Sequence, residues 1–160
     1  MSKIKLTVFF VCVFFVITYP QEKSLINKNE IIGIWQEGNP DVAAGLGNAY
    51  RFYKDKFVFQ VSQFNSLSRL LKIKGKYEIL DSVLILKVNK IVEAINGKYN
   101  YNSDEFNSWS YDNYKSKEID YPLQEIRLTI VRCTKQNNNI CVEINGIKYF
   151  RIDKNPDAFK

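Results

Sequence analysis

The sequence predicts an all-β domain of short antiparallel strands, an up-and-down barrel or sandwich, placed behind an N-terminal export segment. Three observations carry this prediction. After a polar lead ending at Asn29, apolar residues recur with a period of two rather than 3.6. Turn residues punctuate those runs, most clearly Asn145-Gly146. The first twenty residues form a positively started apolar run unlike anything that follows.

The export segment comes first along the chain. Lys3 and Lys5 precede an apolar core from Leu6 to Thr18 that contains no acid. This core of roughly 13 residues fits a signal peptide and falls short of the ~20 needed to span a bilayer. Residues 1–20 are therefore expected to be a signal peptide, and the protein to be exported, periplasmic or secreted. Thr18-Tyr19-Pro20 departs from the small-x-small cleavage pattern, so an uncleaved anchor is the alternative, and membrane attachment is expected only through it. Residues 21–29 read as a polar lead, 30–153 as the β-domain and 154–160 as a C-terminal tail.

Loss of the leader removes two lysines and no acid, taking the formal charge from +6 to +4. That balance favours solubility and is too evenly spread to predict nucleic-acid binding. Cys133 and Cys141 are the cysteines left after the leader, and an even pair in an exported chain predicts a disulfide. Both share the parity of the polar residues on their strands, so both sulfurs face one side. Histidine is absent, which excludes histidine triads, histidine general bases and most zinc sites. Neither a metal nor a cofactor is expected.

The strands follow from alternation. In Leu71–Ile79, Leu71, Ile73, Tyr77 and Ile79 take one face, and Lys72, Lys74, Lys76 and Glu78 take the other. Phe57, Phe59 and Val61 alternate in the same way, as do Ile126, Leu128 and Ile130, and then Ile140, Val142 and Ile144. Val83 to Leu86 is apolar on both faces, as in a covered strand. Lys54-Asp55-Lys56 joins Ala49–Tyr53 to Phe57, and Ile147–Asp153 returns after the Asn145-Gly146 turn. Two stretches are expected to be irregular, Glu37–Asn48 and Asn100–Pro122.

Gly33-Ile34-Trp35 opens the β-region. A loop follows, then the pair Tyr50–Tyr53 and Phe57–Phe59, a Gly75-Lys76-Tyr77 strand and the apolar strand Ser82–Leu86. In this order of elements the chain resembles the lipocalin-like (calycin) families, specifically their short exported bacterial members, over roughly Glu30 to Val88. The resemblance implies an antiparallel up-and-down barrel of about eight strands. It also implies a structural tryptophan, here Trp35, stacked under an arginine from a late strand. Arg151 is the candidate for that arginine, with Arg132 and Arg127 as rivals.

For function, the resemblance implies a non-enzymatic protein that binds a small apolar or amphipathic ligand inside the barrel. The segment 100–121 gathers Tyr101, Phe106, Trp109, Tyr111, Tyr114 and Tyr121 among polar residues, a composition able to stack on sugars, flat apolar ligands or a partner's surface. It is expected to lid one mouth, with Trp109 and Tyr111 as ligand contacts, or simply to pin a long loop to the barrel wall. Two rival functions remain. One is an envelope interaction module, an accessory or inhibitor, that uses this aromatic segment. The other is a small carboxylate hydrolase, although Asp104-Glu105 and Glu118-x-Asp120 read as solvated charge.

Overall fold

The computed structural model describes residues 25–38, 47–62, 69–102, 108–133 and 140–158, without the side chains of residue 102 or of residues 108–111. The expected leader, residues 1–20, lies outside the described residues, as do residues 39–46 of the expected irregular stretch Glu37–Asn48. A one-turn helix α1 (Lys28–Ile31) leads into ten strands: β1 (Gly33–Glu37), β2 (Ala49–Phe52), β3 (Lys56–Gln60), β4 (Leu70–Leu80), β5 (Val83–Ile95), β6 (Lys98–Asn102), β7 (Ser108–Asp112), β8 (Lys115–Arg132), β9 (Cys141–Ile144) and β10 (Ile147–Asp153).

Eight of these strands make one sheet that closes in a ring, in the order β1-β2-β3-β4-β5-β8-β9-β10 and back to β1. Every neighbouring pair is antiparallel. The path is a simple meander except between β5 and β8, where β6 and β7 form a separate two-stranded sheet. Closure gives every strand of the ring a partner on both sides, although β9 pairs with β8 only at Ile130–Arg132.

The turns follow local chemistry. Asn145 and Gly146 take φ of 50° and 83°, the paired positive values that suit a two-residue hairpin. At Lys54–Lys56 the Tyr53 amide donates to the Lys56 carbonyl over 2.9 Å.

The inward-facing positions meet in one core. Trp35, Phe52, Phe57, Tyr77, Leu84 and Ile130 are all essentially inaccessible to solvent. Tyr50 stacks on Phe52 with centroids 5.2 Å apart, meets Phe59 at 4.5 Å and meets the edge of Tyr149 at 5.2 Å. Phe52 in turn meets Tyr77 at 4.9 Å. These spacings are direct ring contact. The Tyr77 hydroxyl donates to the Tyr53 carbonyl over 2.6 Å, which satisfies its polar end. Burial pushes the Tyr50 and Tyr77 hydroxyls up to about 12, so both stay protonated at any physiological pH.

Two boundaries differ from the sequence reading. Packing begins before residue 30, because Ile26 and Ile31 are buried in the core and Asn27 caps α1 in a reciprocal box with Glu30. At the other end, residues 154–158 fold back over β2. There Arg51 Nη1 donates to the carbonyls of Pro156 and Ala158 at 2.9 and 2.7 Å.

The stretch 100–122 is corrected more substantially. In place of an irregular segment, its described residues form the end of β6, all of β7 and the first part of β8, with Asn113 and Tyr114 as the turn between β7 and β8. From Lys115 to Glu125 the residues of β8 are exposed apart from Ile119. With both faces in water, no apolar alternation marks such a strand.

A bulge, which bends a strand, marks where this ribbon begins, although β5 stays paired with β4 as far as Glu93. Asn89 interrupts the register of β5 with both neighbours, since Val88 and Lys90 pair with Gly75 and Lys74 on one side and with Gln124 and Asp120 on the other. Pro122, which has no amide to donate, falls inside that interruption. At Gly75 an added Cβ would stand 2.1 Å from the Lys87 carbonyl oxygen and 3.0 Å from the Val88 Cα, backbone atoms that cannot step aside cheaply. Gly75→Ala is therefore expected to destabilise the protein by about 1–3 kcal/mol in urea titration. An unchanged midpoint would remove the close approach as the reason for glycine there.

Candidate functional site

One end of the ring is closed by a plug built from both chain ends. The Trp35 indole lies at the start of β1 and donates its Nε1–H to the Ile31 carbonyl of α1 over 2.5 Å. Arg151 is the register partner of Trp35 across the β1–β10 ladder, and its guanidinium carbon stands 5.5 Å from the indole centroid. The Arg151 Nη1 also donates to the Glu30 carbonyl over 3.2 Å. The rival arginines are engaged elsewhere, Arg132 with the Glu30 carboxylate at 2.6 Å and Arg127 with Glu125 at 2.8 Å. A hydrogen bond from the Asn27 backbone, and then Arg132, hold the Glu30 carboxyl below the usual carboxylate range.

Cys133 and Cys141 sit beside this plug with Cα atoms 5.4 Å apart, at disulfide distance. Cys141 is buried despite its polar parity, because the outward face of β9 and β10 is covered here: Phe150, its register partner, is buried as well. An open cleft of about 560 Å³ lies against Trp35, Glu30, Arg132, Arg151 and the cysteine pair. Glu30 is the one carboxylate among its described lining residues, and it pairs with Arg132, while Arg151 is held by the Glu30 carbonyl and the indole face.

The opposite feature is the ribbon. Beyond the Asn89 bend, β5 and β8 run on together to the pair Ile95 and Lys115, and β6 and β7 continue as a hairpin. Asn96 and Asn113 take φ of 59° and 55° at the junction, the left-handed geometry that asparagine tolerates. Register within the hairpin pairs Tyr99 with Tyr111 and Tyr101 with Trp109, and pairs Lys98, Asn100 and Asn102 with Asp112, Ser110 and Ser108. Strand parity therefore puts four aromatic positions on one face and six polar positions on the other.

Tyr99 and Tyr101 are 38 % and 49 % exposed, and Asn100 Nδ2 donates to the Asp112 carboxylate. The side chains of Trp109 and Tyr111, the expected ligand contacts, lie outside the described residues, as do Phe106 and the Asp104-Glu105 pair. Tyr114 and Tyr121, from the same aromatic segment, are exposed on the ribbon.

The remaining acidic pair also belongs to the ribbon. Glu118 accepts from Lys74 at 2.5 Å and Lys90 at 2.8 Å, and Asp120 stands 3.9 Å from Lys90. Hydrogen bonds from the two lysines hold the Glu118 carboxyl at about 2, so at neutral pH it is an ion-pair partner and no proton donor. Among the described residues, no group of three or more Cys, Asp or Glu could hold a metal ion.

Sequence reasoning missed the amphipathic hairpin because a period-two aromatic pattern was hidden inside a segment read as loop. The spacing Tyr99-x-Tyr101 and Trp109-x-Tyr111 was the available signal.

Two predictions follow from this geometry. Trp35→Ala should cost about 3–5 kcal/mol in equilibrium unfolding, as removal of a fully buried ring does, whereas Arg151→Ala should cost about 0.5–2 kcal/mol. The second concerns acid. Because the folded pKa of Glu118 is depressed, its contribution is present above its ordinary value of 4.5 and is lost as pH falls towards about 2. Melting temperature across that window should therefore decline less steeply in Glu118→Gln than in the unmodified protein. Superimposable profiles would refute the Lys74–Glu118–Lys90 arrangement.

No family model matches this chain, and neither does any curated protein or solved structure.

Proposed function

We propose that the protein is an exported, non-enzymatic binding module of lipocalin-like architecture that engages an envelope glycan or protein through the β6–β7 hairpin. The observation that carries this reading is the division of the hairpin into an aromatic and a polar face at the end of a ribbon with a separate ladder. Tyr99 and Tyr101 are exposed on this strand pair, and a ring carried on a paired strand loses little freedom on contact, which favours recognition by stacking.

Two further facts support the module over a carrier of small apolar ligands. The ring's centre is occupied by Tyr50, Phe52, Phe59, Tyr77 and Tyr149 in mutual contact, so a ligand between them would have to displace core rings. A cysteine pair at disulfide distance is consistent with an oxidising, extracytoplasmic setting.

Trp35→Phe leaves Trp109 as the one tryptophan and a direct reporter on the hairpin. Its emission should shift on titration with solubilised host envelope and stay fixed on titration with a fatty acid. Replacing residues 98–112 by a two-residue turn should abolish envelope binding while the melting temperature of the ring is kept. Saturable one-to-one fatty-acid binding in a native mass spectrum, with Trp109 emission unmoved by envelope, would overturn the reading in favour of an interior ligand.

A further inference from the structure

The outer face of β3, β4 and β5 brings together lysines that are far apart in the chain. Register sets Lys56 opposite Lys76, Lys76 opposite Lys87, and Lys74 opposite Lys90, with Lys72 two positions further along β4. Like charges directly opposite one another destabilise a sheet. These lysines are not guarding an open edge, because β4 is paired on both sides within the ring.

Carboxylates answer only part of this charge. Glu118 serves Lys74 and Lys90, Asp120 approaches Lys90, and Glu78 serves Lys87 at 2.8 Å. Lys56 leans over the Tyr53 ring at 4.9 Å. Among the described residues no carboxylate lies within ion-pair distance of Lys72 or Lys76.

Shape adds to the charge. The bend at Gly75 and Asn89 hollows this face into an open cleft of about 500 Å³, bordered by Lys56, Lys74, Lys76 and Lys90 with Glu118 at one side. Alternate residues of a strand stand ~6.8 Å apart and neighbouring strands ~4.8 Å apart. Both spacings are below the Debye length of about 8 Å at physiological salt, so the lysine potentials add within the cleft. A recess of this kind admits a chain laid along it. A bilayer surface meets first what projects.

We propose that this face binds a linear polysaccharide carrying sulfate or phosphate esters, with Lys56 and Lys76 pairing its oxyanions. No carboxylate among the described residues serves either of these two, whereas Lys74 and Lys90, held by Glu118, border the cleft. The retained lysine–lysine pairs are then the stability cost of a site whose charge the polymer neutralises. The inference stands independently of the hairpin, which lies beyond the bend.

The probe is dextran sulfate, with uncharged dextran and phosphatidylglycerol vesicles alongside, measured calorimetrically between about 50 and 200 mM salt. The protein should bind dextran sulfate with an affinity that falls steeply with salt, ignore dextran, and bind the vesicles more weakly. Lys56→Gln/Lys76→Gln should lower affinity about tenfold and reduce the salt slope by about two, while the melting temperature holds or rises because two repulsive pairs are gone. Glu118→Gln should tighten binding. Lys148→Gln/Lys154→Gln makes the same change of net charge away from the cleft and should alter affinity less than about twofold. The proposal is overturned by no measurable binding, by equal losses in the two double variants, or by vesicle binding as tight as that of dextran sulfate.

Discussion

Closure of the sheet between β1 and β10 is the constraint on which everything else rests. Without that ladder both strands would be open edges, and the aromatic core would face water along one seam. The seam is tight. Gly33 takes φ of 132°, and an added Cβ there would stand 2.3 Å from the Asp153 carbonyl oxygen, so glycine is required by conformation and by space together. The register slips between Ile34 and Trp35, which brings Trp35 opposite Arg151. The indole, the guanidinium and the helix α1 thus meet because the seam closes where it does. The C-terminal turn over Arg51 then covers the adjoining strand from outside.

A second constraint releases part of the molecule from that ring. β5 and β8 are much longer than the short strands around the seam, with 13 and 18 residues against five for β1. The Asn89 interruption, Gly75 and Pro122 together absorb the change of direction. Beyond that bend a satellite cluster of Leu71, Val92 and Ala94 is separate from the main core. One polypeptide therefore divides its labour: the ring carries cohesion, while the ribbon and hairpin carry exposed aromatic and charged surface. Surface that is not committed to the core is free to be shaped by recognition.

The charges divide in the same way. At the plug, Glu30 is paired with Arg132, and Arg151 is held by the Glu30 carbonyl and the Trp35 face. On the outer face of β4 and β5 the balance is left positive, with carboxylates placed against Lys74, Lys87 and Lys90 but, among the described residues, not against Lys72 or Lys76. The tyrosine hydroxyls of the core stay neutral because burial opposes their ionisation.

Alternation along the chain was enough to read most of the ring. Leu71–Ile79 has one face towards the core and one towards water, and the pleat writes that difference directly into the order of residues. The Asn145-Gly146 turn and the Cys133–Cys141 pairing were legible for the same local reasons, conformational tolerance and shared parity. The ribbon was not legible, because from Lys115 to Glu125 neither face is buried and no periodicity survives. Nor could the sequence say that Lys56, Lys76 and Lys87 stand side by side, or choose by periodicity alone among Arg151, Arg132 and Arg127 as the partner of Trp35. Register between strands distant in the chain is decided by how a closed sheet packs its interior, and only the tertiary structure contains that information.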